Sequence, residues 1–320
     1  MLWLFKDANY PFMQWRRIAF AISSIAILVV VASIAMRGGL RYSIDFTGGT
    51  LIQLDFEQPV DVGTLRSVLE SLPGLTSSEV QRFGDPSDVV IRAQVPVGEE
   101  ENFGRRMEAL LREAPQLENQ SFTVVRTEAV GPKIGAELKG QSARAILYAL
   151  ILILIYIAVR FEPKFGVAAV IATLHDVVLS IGVFSLMNKE ISLAVVAAFL
   201  TIIGYSLNDT IVVFDRIRED LRSMRRERYV SVVNAAVNQT LSRTIITSGT
   251  TLIVVLFLFF LGGGVIHDFA FALLIGIIIG TYSSIFVGAP LLIEWKRRIE
   301  DRGTTPRGKT KKKAQATSRA

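Results

Sequence analysis

The sequence predicts a polytopic α-helical membrane protein with one folded α+β domain inserted between its first and second membrane spans. Three observations predict it. Of the 320 residues, 51% are hydrophobic and 20% charged, with a mean hydropathy of +0.43, too apolar for an ordinary soluble chain. Six apolar runs are each long enough for a helix to cross ~30 Å of hydrocarbon at ~1.5 Å per residue; they cover residues 18–36, 143–159, 165–187, 191–214, 244–261 and 269–293. Between the first two runs, the stretch from Arg37 to Lys139 changes sharply in polarity and carries strand and helix periodicities of its own.

Residues 1–17 precede the first span, 18–36. Ser33 and Ala35 resemble a small-residue cleavage site before Arg37, but an apolar run of this length exceeds the ~7–15 residues of a signal-peptide core. The segment is therefore read as an anchor.

The domain 37–141 begins at "YSIDFTGGT", where Gly48–Gly49 suits a tight turn leading into a strand. Without a helix behind it, this pair has no phosphate-loop meaning. Residues 50–57 alternate Ile52, Leu54 and Phe56 with Gln53, Asp55 and Glu57, the period of a half-buried strand. Asp61 then caps a helix carrying Val62, Leu65, Val68, Leu69 and Leu72, ended by Pro73–Gly74. Strands follow near 79–83 and 88–95. A second helix, 98–113, has Phe103, Met107, Leu110 and Leu111 on one side, and "SFTVVRTEAV" supplies a last strand. The order β-α-β-β-α-β is that of a ferredoxin-like sandwich. Its carboxylates are scattered, and it contains neither histidine nor cysteine. With 12 basic and 16 acidic side chains over residues 37–144, it is no nucleic-acid binder.

Residues 142–293 hold the other five spans. Lys and Arg mark which side each loop occupies, because basic residues in short loops stay cytoplasmic. Residues 1–17, 160–164, 215–243 and 294–320 hold 22 of the 35, whereas the loops 188–190 and 262–268 hold only Lys189. Both termini are thus expected in the cytoplasm and the α+β domain on the exterior side. The segment 215–243 joins a cationic half to Val232, Val233, Ala236 and Val237 at helical spacing, which predicts an amphipathic helix along the cytoplasmic interface. The tail 294–320 reads as a disordered, orienting basic segment or as one attracted to anionic lipid or a ribosome.

Ionisable groups inside spans cost ~2.5–3.5 kcal/mol at the centre on insertion scales, so each is a candidate site. Asp209 lies just inside the cytoplasmic end of the fourth span, Asp176 lies mid-way along the third beside His175, and Arg243 opens the fifth. Asn208, Ser206, Thr210, Thr247 and Ser248 add a polar seam. Small polar residues also allow close helix contact, but a buried acid requires a partner or a proton. Asp209 is read as a proton or ion carrier, with a static ion pair or interfacial exposure as the alternatives; Asp176 is a weaker candidate. The absence of cysteine excludes disulfides and thiolate sites. His175 and His267 lie far apart with no ligand cluster at metal spacing, and there is no Walker loop.

The motifs "IDFTGGT", "LHD", "GYSLNDTIVVFDRIRE", "SRTIITSGTT" and "FALLIGIIIGTYSSIFVGAPLL", in this order on this topology, resemble the SecF family. That family forms the smaller half of the SecDF complexes, within the resistance-nodulation-division superfamily. The resemblance covers residues 10–298. It implies an auxiliary subunit of Sec protein export in the bacterial cytoplasmic (inner) membrane. Its pseudo-symmetric partner would be SecD, beside the SecYEG channel, with SecA supplying ATP-driven translocation of precursor polypeptides and with YajC and a membrane insertase as further neighbours. The resemblance places proton transport at Asp209 and Arg243 and matches Asp176 to the third-span motif. The coupling ion would be the proton, with sodium as the alternative, and no cofactor is implied. Two other readings stay open: a half-transporter exporting small molecules or lipids, and a structural subunit of the channel without coupling.

Overall fold

The computed structural model describes residues 8–70, 77–83, 85–94, 100–117 and 120–303. The turn expected at Pro73–Gly74, the start of the helix expected from Gly98 and the tail beyond residue 303 lie outside the described residues. The elements in chain order are α1 (Arg16–Met36), α2 (Ile44–Thr47), β1 (Gly49–Phe56), α3 (Val62–Glu70), β2 (Ser77–Phe83), β3 (Asp85–Gln94), α4 (Glu100–Glu113), β4 (Phe122–Val130), α5 (Pro132–Arg160), α6 (Pro163–Leu186), α7 (Leu193–Ser223), α8 (Tyr229–Leu261), α9 (Gly263–Ser283) and α10 (Ala289–Gly303). Helices α9 and α10 run on from one another through a π-helical turn at Ser284–Gly288, so that six helices are long and apolar enough to cross a membrane.

The small domain is an antiparallel sheet in the order β2-β3-β1-β4, the ferredoxin-like arrangement that the element order implies. Ile52, Leu54 and Phe56 of β1 bury one face against Leu65 and Leu69 of α3 and Met107 and Leu111 of α4. Asp61 caps α3 by accepting from the Thr64 N–H at 2.9 Å. The other face of β1 departs from the simple alternation. Leu51 packs with Ile44 of α2 and Val90 of β3, and Gln53 is buried because its amide donates to Asp88 at 2.8 Å. The start of this strand is covered on both sides by its own chain.

That crowding explains the glycine pair. Gly48 and Gly49 have φ of +75° and +123°, and a Cβ would lie 2.7 Å from Pro132 Cα at the first and 2.7 Å from the Ala93 carbonyl oxygen at the second. Both positions require glycine on conformational and steric grounds.

In the membrane part, α6, α7 and the α9–α10 span are the inner helices, each 56% buried over its most apolar stretch, whereas α1, α8 and α5 are 22%, 17% and 6% buried. Glycine lets the inner helices approach. A Cβ on Gly276 of α9 would sit 2.2 Å from Ile202 of α7, and one on Gly280 would sit 3.2 Å from Ser206.

The segment 215–243 does not form a helix of its own along the interface. Its charged half continues α7 to Ser223, the chain turns at residues 224–228, and its apolar half is the first turns of α8. Val232, Val233, Ala236 and Val237 are buried; Val233, Ala236 and Val237 share a core cluster with Met13 and Leu292. Their apolar stripe is met by the chain's own N-terminal segment instead of lipid. Asn234 and Asn238 fix that segment by accepting from the Met13 N–H at 3.1 Å and the Tyr10 N–H at 2.8 Å.

Polar contacts and packing hold the small domain to the bundle: Leu193 N–H donates to Asp45 at 2.8 Å, and Phe46 shares a core cluster with Phe184 and Val195. Backbone bonds join residues 41–43 to Ile191 in the α6–α7 loop, from Ser43 N–H to Ile191 O at 3.0 Å and from Ile191 N–H to Arg41 O at 2.8 Å. Next to them, Glu190 accepts from Arg92 of β3 at 2.7 Å and from Arg41 at 3.3 Å. Arg41 also bonds Glu79 of β2 at 2.5 Å.

Candidate functional site: a buried polar seam

The inner helices are apolar on most faces, which makes their polar side chains conspicuous. Asp176 of α6 is 0% exposed and Asp209 of α7 is 3% exposed. A carboxylate this far from the surface must be satisfied by neighbouring donors or carry a proton. The structure gives the two acids separate surroundings.

Asp176 stands where four helices meet. Its Oδ2 accepts from Ser206 Oγ of α7 at 2.5 Å and from Ser283 Oγ of α9 at 2.7 Å. Its Oδ1 lies 2.9 Å from His175 Nδ1. The other histidine nitrogen, Nε2, is 3.1 Å from Ser23 Oγ of α1, and Ser23 is 3.2 Å from the Tyr282 hydroxyl of α9. Tyr282 in turn donates to the Ala19 carbonyl of α1 at 3.1 Å. The chain of bonds runs from α6 through α1 to α9 and back to α1.

Asp209 faces α8. Its Oδ2 accepts from Ser248 Oγ at 3.3 Å, and Ser248 accepts from Thr281 of α9 at 2.8 Å. Arg243, just before the apolar run 244–261, lies within α8, which begins at Tyr229, and its side chain is exposed. No ion pair joins it to Asp209 among the described residues.

Of the other residues singled out from the sequence, Ser248 belongs to Asp209, whereas Ser206 belongs to Asp176. Asn208 is exposed on the outer side of α7. Thr247 donates to the Arg243 carbonyl of its own helix at 3.0 Å. Thr210 is buried with no hydrogen-bond partner among the described residues, as are Thr173 and Thr244, so the seam holds more polar groups than its internal bonds use. Sequence reasoning missed Ser23, Thr281, Tyr282 and Ser283. The signal was present in "TYSS" within the last span and "SS" within the first, but hydroxyls in isolation do not show which acid they face. Among the described residues no three His, Cys, Asp or Glu side chains gather into a metal site.

Comparison with known proteins gives the family of the chain. The family model described as "Protein export membrane protein SecD/SecF, C-terminal" matches residues 111–298, and that described as "SecD/SecF GG Motif" matches residues 33–60, which include Gly48–Gly49. The chain is 49% identical over 292 residues to the protein translocase subunit SecF of Desulfurispirillum indicum, covering 90% of this chain and 92% of that one. It is 41% identical over 286 residues to the SecF of Escherichia coli O157:H7, covering 89% and 87%. Among solved structures it is similar to SecDF of Thermus thermophilus, a translocon-associated membrane protein, at 40% identity and a TM-score of 0.83. That match covers 93% of this chain and spans 40% of the SecDF chain. A structure titled as the super-membrane-facing form of SecDF matches at the same identity with a TM-score of 0.65.

Proposed function

The chain belongs to the SecF family of protein translocase subunits and is a SecF-type auxiliary subunit of protein export, and from that premise we propose that it couples the proton motive force to export through Asp209. The observation that carries this reading is a carboxylate 3% exposed in the interior of the helix bundle that accepts from the Ser248 hydroxyl at 3.3 Å and from no cation among the described residues. Neutral donors compensate poorly for a buried negative charge, so the site is built to change its proton occupancy. Arg243 supplies a positive field that favours the ionised form, and because it does not touch the acid, it leaves the acid free to be protonated.

SecD is the proposed partner. The chain spans 40% of the matched SecDF chain, and Arg243 and Asn208 lie exposed on two of its spans. Exposed polar groups at membrane depth are costly against lipid, and a partner bundle laid on the α7–α8 face removes that cost. The assembly is placed beside SecYEG in the cytoplasmic (inner) membrane, with SecA driving the precursor polypeptide by ATP and with YajC and an insertase as further neighbours. The distribution of Lys and Arg puts both termini in the cytoplasm and the small domain outside.

Protonation of Asp209 would weaken its attraction to the Arg243 field and allow α7 and α8 to repack, passing movement to the exterior domain through α1 and α5. Each proton crossing the membrane supplies ~2.3 kcal/mol per 100 mV, enough to bias a two-state element. Sodium is the alternative ion. Asp209→Asn tests the reading in cells: secreted precursors are expected to accumulate in their unprocessed form. Normal export with that variant would remove Asp209 from the mechanism.

A further inference from the structure

We propose that Asp176 and His175 together hold one exchangeable proton, and that this proton sets the direction of a hydrogen-bond chain tying α6 to α1 and α9. The warrant is a count of donors. A tyrosine or serine hydroxyl has one proton to give, and each neutral imidazole nitrogen either donates or accepts. Tyr282 gives its proton to the Ala19 carbonyl, which can only accept. The contact between Ser23 and Tyr282 must then use the Ser23 proton. With that proton spent, the contact between Ser23 and His175 Nε2 requires Nε2–H as the donor.

The last link decides the charge state. His175 Nδ1 sits 2.9 Å from Asp176 Oδ1. Either Nδ1 also carries a proton, giving an imidazolium against a carboxylate, or Nδ1 accepts from a protonated Asp176. Both descriptions place one proton more on the pair than an ionised aspartate and a neutral histidine hold. Ser206 and Ser283 donate to the other carboxyl oxygen in either case. The pair binds and loses this proton as a unit. The groups facing it are Ser23 from α1, Ser206 from α7, and Ser283 and Tyr282 from α9; none of them is an Arg, Lys, Asp or Glu.

Loss of the proton has a defined structural result. A neutral histidine donating from Nδ1 to an ionised Asp176 presents Nε2 as an acceptor. Ser23 then turns its proton to Nε2, and the bond between Ser23 and Tyr282 survives only if Tyr282 donates into it. That takes the tyrosine proton away from the Ala19 carbonyl and releases one of the ties between α9 and α1. Helix α1 leads directly into the exterior domain, so proton occupancy deep in α6 is read out on the helix that carries that domain. The use of this proton for export rests on the coupling reading above, whereas its presence rests on the geometry alone.

The test exploits the histidine count. The chain contains two histidines, His175 and His267, so His267→Asn leaves a single reporter. The full chain with that substitution, labelled with 15N-histidine and reconstituted in lipid bilayers, reports through its ring-nitrogen shifts which nitrogens are protonated. Expected at neutral pH is Nε2–H, either as imidazolium or as the Nε2–H tautomer, converting to the Nδ1–H tautomer as pH rises. Adding Tyr282→Phe removes the hydroxyl that takes the Ser23 proton, so proton affinity is expected to fall by about tenfold, one pH unit. Adding Asp176→Asn is expected to leave His175 neutral. A His175 that stays Nδ1–H and neutral at every pH, or a midpoint unmoved by Tyr282→Phe, overturns the proposal. Neither result depends on export, so normal export with Asp209→Asn and failure here are separate outcomes.

Discussion

Asp209 sits in α7 with its carboxylate 3.3 Å from Ser248, and the choice of that serine over Arg243 follows from helix geometry. Residues 243 and 248 are five apart, which turns their side chains about 140° from one another around α8. A helix that aims Ser248 at α7 must aim Arg243 elsewhere. The sequence showed the acid and the base but not their azimuths, so the static ion pair stayed open there as an alternative. Ser206, read from the sequence only as a member of the polar seam, is given its acid by the structure, where it donates to Asp176. Two expectations belong at this scale. Arg243→Lys keeps the charge and is expected to retain most proton-dependent export, whereas Arg243→Gln abolishes it; equal loss in both, measured as precursor processing, would mean the guanidinium acts by shape and not by field. Gly48→Ala meets a positive φ and a backbone contact at once, and its cost is expected at about 1–3 kcal/mol, read as a lowered thermal midpoint of the purified protein.

At the scale of elements, the strands and helices of the small domain were readable because one face of each is buried and the other is not. The second face of β1 was not readable, because α2 covers it and contact between distant segments leaves no local period. The interfacial helix expected over 215–243 failed likewise: its apolar stripe is real, but residues 8–14 of the same chain meet it before lipid does. The junction between domain and bundle is the element most open to test. Burial pushes the Glu190 carboxyl above its ordinary range, with Arg92 and Arg41 opposing the rise. The docked form therefore holds the proton more tightly than a solvated Glu190 does. Lowering the pH through the interval between the two values favours docking, and raising it disfavours docking. Glu190→Gln is expected to keep the domain docked at every pH. Arg92→Ala leaves a mostly buried carboxylate short of a partner and is expected to loosen docking by about 1–3 kcal/mol, seen as a broadened distance distribution between spin labels on the domain and on α6. A narrow distribution in Arg92→Ala would show that the remaining contacts, among them Arg41–Glu190, Leu193–Asp45 and the backbone bonds at Ile191, suffice.

On the scale of the molecule, six spans and an inserted domain follow directly from the apolar runs and the polarity change between the first two. Which spans are inner is a tertiary property, and composition concealed it: α5 and α6 are almost equally hydropathic, yet α5 is 6% buried and α6 is 56% buried. The difference lies in where hydroxyls, Asp176 and close-packing glycines fall. The least buried spans are the ones left for partners and lipid. Since the chain has no cysteine, single cysteines placed at Asn208 and Thr250, both exposed on the α7–α8 face, are expected to crosslink to SecD, while one at Leu152 on exposed α5 is not; the reverse pattern would move the interface.

Translocation of a secretory precursor into inverted membrane vesicles, at saturating ATP with the proton gradient either present or collapsed, tests the coupling at Asp209 most directly. Vesicles carrying the parent chain are expected to gain translocation from the gradient, and vesicles carrying Asp209→Asn, with the protein present at equal level, are expected to keep only what ATP alone supports. A gradient-dependent gain of equal size in both would contradict proton coupling through this aspartate.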